Sequence, residues 1–161
     1  MKFLRNIALA MLLVLPAVPA LAHHDGEIAS VGDMRISHAW TKETGGTAHA
    51  IEVFLTLENV GDEEERLIGG TTRFSEPAMF QAPVLASDGA VAVQDVSAIV
   101  IDAGQSVTLQ PGGIRIVLND VKRTLRAGGH FHMHLEFANA GTVEIDVEIE
   151  DENYQPKRPA S

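Results

Sequence analysis

Two neighbouring segments near the C-terminus alternate strictly between apolar and polar residues, and this pattern constrains the fold more than any other feature. The apolar positions are Phe131, Met133, Leu135 and Phe137 in the first segment, and Val143, Ile145, Val147 and Ile149 in the second. Because successive side chains of a β-strand point to opposite faces, each segment is predicted to be a strand with one buried face. Asn139-Ala140-Gly141 lies between them and predicts a turn, so the two strands can pair as a hairpin.

Shorter alternating runs separated by glycine, proline and aspartate fill most of the remaining chain. The predicted strands lie in residues 27–31, 34–40, 50–57, 66–72, 90–94, 98–101, 106–109 and 114–118. Residues 74–88 are predicted to be irregular, with room for a short helical turn, because Pro77 and Pro83 interrupt regular pairing. Many short strands without a convincing helix predict an all-β sandwich or barrel built as a single domain.

The polar face of the first alternating segment carries three of the chain's seven histidines, His130, His132 and His134. Neighbouring Cα atoms on one face of a strand are roughly 6.5–7 Å apart, so two imidazoles can reach one metal ion. A half-exposed strand that uses histidine as an ordinary polar residue is the alternative. Three histidines in register favour the metal site, because imidazole is the commonest metal ligand in proteins.

Residues 1–22 have the features of a secretory signal peptide. Lys2 and Arg5 precede an apolar run over residues 7–18, and Ala20-Leu21-Ala22 is a small-x-small cleavage signal. Export is therefore expected, and no membrane span is expected after cleavage. The new first residue would be His23, followed by His24, and an N-terminal histidine offers its α-amine and its imidazole to the same metal. The globular domain is expected over residues 23–151, and residues 152–161 are expected to form a flexible tail.

Charge and composition exclude several classes of function. The formal net charge is −10 at pH 7, so long-range attraction to nucleic acid or to an anionic membrane is not expected, whereas cations are attracted. The chain contains no cysteine, which excludes disulfides, thiolate metal sites and cysteine nucleophiles. No paired-carboxylate, Ser-His-Asp or phosphate-loop pattern indicates a hydrolase or a kinase.

Three ordered segments resemble the periplasmic copper chaperones that contain a PCuAC domain. They are residues 31–40 (VGDMRISHAW), residues 54–63 (FLTLENVGDE) and residues 109–113 (LQPGG). The resemblance covers most of the chain after the signal peptide. It implies a cupredoxin-like β-sandwich with Greek-key connections, a bound copper ion and a periplasmic location.

The copper(I) motif of that family is missing from this sequence. Arg115 and Val117 occupy the positions that follow the Pro-Gly-Gly turn, where the family has a His-x-Met pair, and Gln81 or Ala82 replaces the middle histidine. Residues 90–93 contain no methionine. Thioethers favour copper(I), whereas nitrogen ligands suit copper(II). Either copper binding has been lost, or the site has moved and now prefers copper(II), and relocation is the expectation.

Resemblance to a subgroup associated with methane-oxidising bacteria, and to the CopC copper-resistance family, implies a histidine brace at the new position. His23 would supply its amine and imidazole, with His132 and His134 as the first partners and His130 and His24 in reserve. His38 and His49 are weaker candidates. The resulting hypothesis is a copper(II) carrier or buffer, not an enzyme, that serves an exported or membrane cuproenzyme or a copper-transport partner. The alternatives are a copper-brace oxidative enzyme and a metal-free assembly module.

Overall fold

A computed structural model describes residues 28–87 and 89–156. The predicted signal peptide, His23 and His24 lie outside these residues. Within the described part the chain forms strands and no helix. The strands are β1 (Ala29–Val31), β2 (Met34–Lys42), β3 (Ala50–Asn59), β4 (Glu65–Thr71), β5 (Met79–Leu85), β6 (Val91–Val96), β7 (Ile99–Ile101), β8 (Ser106–Thr108), β9 (Arg115–Asn119), β10 (His130–Phe137) and β11 (Gly141–Glu150).

The two alternating segments near the C-terminus form the hairpin that their pattern predicts. β10 and β11 pair as an antiparallel hairpin from His130 opposite Glu148 to Phe137 opposite Gly141. Along β10 the apolar side chains are buried and the histidines are exposed, in strict alternation. Met133 and Leu135 are fully enclosed, and burying an apolar side chain of this size stabilises the fold by about 1.5–3 kcal/mol. The core face therefore fixes which side of the strand the histidines occupy.

The strands form one continuous hydrogen-bonded sheet that closes around a single apolar core. Their order is β6-β5-β9-β3-β2-β11-β10-β4-β7, with β1 beside β2 and β8 beside β3. A side-chain hydrogen bond also connects β7, at one end of this order, to β3 in the middle. The side-chain amide of Asn59 on β3 donates to the carbonyl of Ile101 on β7 at 3.1 Å. Buried residues from strands along the whole order make up one hydrophobic cluster. The predicted sandwich is confirmed.

The prediction of an irregular segment over residues 74–88 is partly wrong. β5 spans Met79–Leu85 and includes Pro83, which lies opposite Val93 of β6. Pairing of β5 with its other neighbour, β9, ends at Gln81. Pro83 therefore lies where the outer side of the strand has no partner in the described sheet, and this is a position at which a strand tolerates proline.

A β-bulge interrupts β2 at His38 and Ala39. The pairing of β2 with β3 shifts between Ser37 and Trp40, and His38 adopts a left-handed backbone conformation with φ of 54°. Beyond the bulge, β2 pairs in parallel with β11 over Trp40–Lys42. Before the bulge it pairs with β1 instead. The bulge therefore separates β2 from β11 at the level of the histidine strand.

The β10–β11 turn is fastened by the buried carboxylate of Glu65, at the start of β4. Its Oε1 accepts hydrogen bonds from the amides of Arg66 (2.8 Å) and Asn139 (3.1 Å), and its Oε2 accepts one from the amide of Ala140 (2.7 Å). Burial raises the pKa of Glu65, but these hydrogen bonds outweigh it, so the net pKa is lowered. The ionised carboxylate ties the turn to β4.

The first residues after β11 also contact the domain. The ring of Tyr154 lies edge-on to Trp40, with centroids 4.8 Å apart, and Lys42 Nζ donates to the carbonyl of Glu152 at 2.8 Å. Burial raises the pKa of Tyr154, and the nearby charge of Glu150 adds to the shift. Tyr154 therefore covers one side of Trp40 at the end of β2.

Candidate metal centre

The exposed face of the β10–β11 hairpin places histidines directly opposite acidic residues. The cross-strand pairs are His130 with Glu148, His132 with Asp146, and His134 with Glu144. This arrangement follows from two period-two patterns that share one turn. The core side of both strands is buried, so all six polar side chains point to the same outer face.

Three of these side chains form a group with the geometry of a metal site. The donor atoms of His130, His132 and Asp146 all lie within 4.8 Å of one another. The two imidazole rings stand nearly edge to face, with centroids 5.8 Å apart. Two ligands that each lie 2.0–2.1 Å from one ion are at most about 4.2 Å apart. Small rotations of the side chains would therefore bring all three donors onto one ion.

Asp146 supplies the carboxylate of this group of three. Its Oδ1 is shielded from solvent and has no hydrogen-bond partner. His132 Nδ1 lies 2.6 Å from that oxygen, at ion-pair distance but without the alignment of a hydrogen bond. An unsatisfied buried carboxylate oxygen is costly. A metal ion between the carboxylate and the imidazole would satisfy both atoms.

A cleft of about 180 Å³ adjoins this group. His132, Glu144, Ile145 and Asp146 line one side of the cleft, and Ala29, Ile36 and Ala39 line the other. The bulge in β2 opens this space, since it parts β2 from β11. The described chain begins beside the cleft, because β1 starts at Ala29.

His134 lies one step along the same face and outside the group of three. Its Nε2 is 3.3 Å from Glu144 Oε2, while the other oxygen of Glu144 lies 4.0 Å from His132 Nδ1. The structure thus brings together two of the sequence-predicted ligands, His130 and His132. It associates His134 with a carboxylate instead.

The remaining predicted ligands lie elsewhere or outside the described residues. His38 is exposed on the bulge and its Nδ1 lies 3.1 Å from the hydroxyl of Ser37. His49 is exposed in the loop before β3, where its carbonyl accepts a hydrogen bond from Asp120. Neither belongs to the group of three. His23 and His24 remain predictions.

The positions that depart from the copper(I) motif form a polar network centred on Arg115. Arg115 Nε lies 3.1 Å from Glu52 Oε1 and 3.2 Å from Gln81 Oε1, and Gln81 in turn donates to Asp95 at 3.0 Å. A guanidinium has no lone pair to offer a metal and repels cations. This corner of the sandwich is therefore held together by hydrogen bonds around a fixed positive charge.

Sequence comparison relates the chain to proteins described as lipoproteins. The family model described as "Putative lipoprotein LpqE-like" matches residues 34–149. A curated protein of Leifsonia xyli subsp. xyli, named "Putative lipoprotein Lxx21020", is 29% identical over 144 residues, covering 86% of this chain and 84% of the relative.

Structure comparison relates the fold to PCuAC domains. The copper-bound PCuAC domain from PmoF2 has a TM-score of 0.67 at 26% identity and covers 78% of this chain and 98% of that domain. The apo PCuAC domain from PmoF1 has a TM-score of 0.68 at 23% identity, covering 78% and 99%. The copper(I) form of DR1885 from Deinococcus radiodurans has a TM-score of 0.60 at 20% identity, covering 76% and 80%. The predicted cupredoxin-like sandwich and the resemblance to PCuAC domains are both confirmed.

Proposed function

The chain belongs to the LpqE-like family, and from this membership and its exposed His130–His132–Asp146 group we propose that it binds copper outside the cytoplasm. In this proposal it carries or buffers the ion for an exported or membrane cuproenzyme, or for a copper-transport partner. The observation that carries the proposal is the shielded, unsatisfied Oδ1 of Asp146 beside two imidazoles. The copper-bound PCuAC domain from PmoF2 supports copper as the ion.

The donor set favours the divalent ion. Imidazole nitrogen and carboxylate oxygen suit copper(II), whereas copper(I) prefers sulfur. Met133 lies on the same strand, but it is fully buried on the core face and points away from the imidazoles. The site therefore offers nitrogen and oxygen on its open side and keeps the strand's thioether out of reach.

We predict that the protein binds copper(II) more tightly than copper(I). Competition titrations with a chelator of known affinity for each oxidation state measure this directly, with copper(I) held reduced and free of oxygen. Tight copper(I) binding combined with weak copper(II) binding would contradict the proposed site.

The position of β1 supports a contribution from the N-terminus. β1 is antiparallel to β2 with Ala29 opposite Ile36, so its first residue lies on the side of β2 that leads to Trp40, which is opposite Glu148. Glu148 is itself opposite His130. Ile28 is five Cα-to-Cα steps from His23, and a chain of five steps reaches roughly 17 Å when extended. We propose that cleavage after Ala22 exposes an amine at His23 that joins its imidazole on the ion, with His24 in reserve.

One extra residue before His23 is expected to weaken copper(II) binding at least about tenfold. The extension keeps every side chain but converts the α-amine to an amide, which removes one arm of the chelate. Equilibrium dialysis of the two forms at one fixed pH gives the comparison, and a form with an alanine inserted in the tail after Gln155 serves as the length control. Equal affinities would exclude the amine and leave a site of side chains alone.

The same hypothesis makes the protein a carrier, not an enzyme. It places the domain in the periplasm after export by the signal peptide, in keeping with the lipoprotein names of its relatives. No helix within the described ranges is long and apolar enough to cross a membrane.

A further inference from the structure

The exposed hairpin face carries a second set of metal donors beside the first. His134 Nε2 and Glu144 Oε2 are 3.3 Å apart. Two adjacent donors at about 2.0–2.1 Å from one ion are about 2.9 Å apart around a tetragonal ion and about 3.4 Å apart around a tetrahedral one, so a small rotation of either side chain would suit both geometries. Both side chains are about half-exposed, at 48% and 53%, so water can complete the coordination.

Glu144 lies between the two sets. One of its oxygens faces His134, and the other lies 4.0 Å from His132 Nδ1. It also lines the cleft that adjoins His132 and Asp146. A carboxylate in this position can bind an ion through either oxygen, so it connects the two sets along the strand direction.

We propose that His134 and Glu144 form a second, weaker position for a divalent cation, and that Glu144 links it to the His130–His132–Asp146 site. The inference rests on the proposed function for the first site. It gives His134 a role other than that of a direct ligand of the first ion. The second position offers one nitrogen and one carboxylate to a borderline divalent ion such as copper(II).

The second position binds more weakly for two physical reasons. It supplies two protein donors where the described residues of the first site supply three, and neither donor is a shielded atom without a hydrogen bond. A cation already held by His132 and Asp146 also repels a second one nearby, although the acidic residues of the face offset part of that repulsion. We therefore expect ions to fill the two positions in sequence.

The experiment is a titration with copper(II) alone, followed by dialysis for stoichiometry and by electron paramagnetic resonance for the number of copper environments. The parent protein is expected to bind about two ions, the second much more weakly. His134→Ala and Glu144→Gln should each lose the weaker ion. His134→Ala should leave the affinity for the tighter ion within about twofold, whereas Glu144→Gln should also lower that affinity, by less than His130→Ala does, because Glu144 lies 4.0 Å from His132. His130→Ala should weaken the tighter ion instead. His49→Ala and His38→Ala are the matched controls and should retain both ions.

The outcomes separate this inference from the function on which it rests. One tight ion in the parent and no second ion would overturn the second position and leave the proposed function intact. Loss of the tight ion in His134→Ala would overturn the inference as well, because His134 would then be a ligand of the first site. Absence of any tight ion in the parent would contradict the proposed function itself.

Discussion

Replacing His132 with alanine is expected to lower the affinity for copper(II) about 100-fold or more. His132 contacts both other members of the group, since its ring lies beside that of His130 and its Nδ1 lies 2.6 Å from Asp146. Loss of a residue that merely supports a ligand costs about 10–100-fold in metal affinity, so loss of a ligand should cost at least as much. Asp146→Asn should have a similar effect, because it removes the charge and keeps the shape. Competition titration measures both variants.

The fold should survive both substitutions, because the His132 side chain is 60% exposed and surface ion pairs contribute about 0–1 kcal/mol. Thermal unfolding followed by circular dichroism is the check on folding. His49→Ala, an exposed histidine away from this face, is the matched control and should bind as the parent does. If both His132→Ala and Asp146→Asn bind copper(II) like the parent, the hairpin face is only a polar surface.

Glu65→Ala is expected to destabilise the protein by about 2–4 kcal/mol. The substitution removes the acceptor of the part-buried hydrogen bonds from the amides of Asn139 and Ala140, and a hydrogen bond to a charged group contributes about 1.5–3 kcal/mol. Denaturant unfolding at pH 7 measures the loss. Glu58→Ala on β3 removes an exposed carboxylate and is the control, with an expected change within about 0.5 kcal/mol.

The contribution of Glu65 should also depend on pH in a defined direction. Its pKa is lowered in the folded protein, so the stabilisation is complete above the ordinary value of 4.5 and is lost as the pH falls through the folded value. The difference in stability between the parent and Glu65→Gln should therefore be largest near neutral pH and shrink below about pH 4.5. A difference that stays constant across this range would show that the charge of Glu65 contributes nothing.

The sequence predicts the hairpin face in detail but not its acidic ligand. Alternation alone assigns the histidines to the open face, because a one-residue slip would bury them and expose Phe131 and Met133. Asp146 was missed, although the signal was present. Once the hairpin closes at Phe137 and Gly141, five steps along each strand bring His132 opposite Asp146. Alternation places the carboxylates of the last strand on the open face but does not by itself mark one of them as a ligand.

Other features depend on contacts between distant strands and leave little trace in the local sequence. The bulge at His38 is set by how β2 changes partners from β1 to β11, and no glycine marks it. Pro83 predicts a break, yet the strand continues, because the missing amide costs nothing where β9 no longer pairs. Both features depend on which strand lies alongside, and that is decided by the whole sheet.

The open position of the histidine face determines how a bound ion could leave. His132 and His134 are 60% and 48% exposed, so an incoming protein could place its own donor on the metal before any donor of this chain lets go. In the proposed carrier, such associative ligand exchange would pass the ion through a shared intermediate without releasing copper into bulk water. A buried site of equal affinity would first have to open before a donor from another protein could reach the ion. The rate of delivery would then be set by encounter with the acceptor and not by spontaneous dissociation.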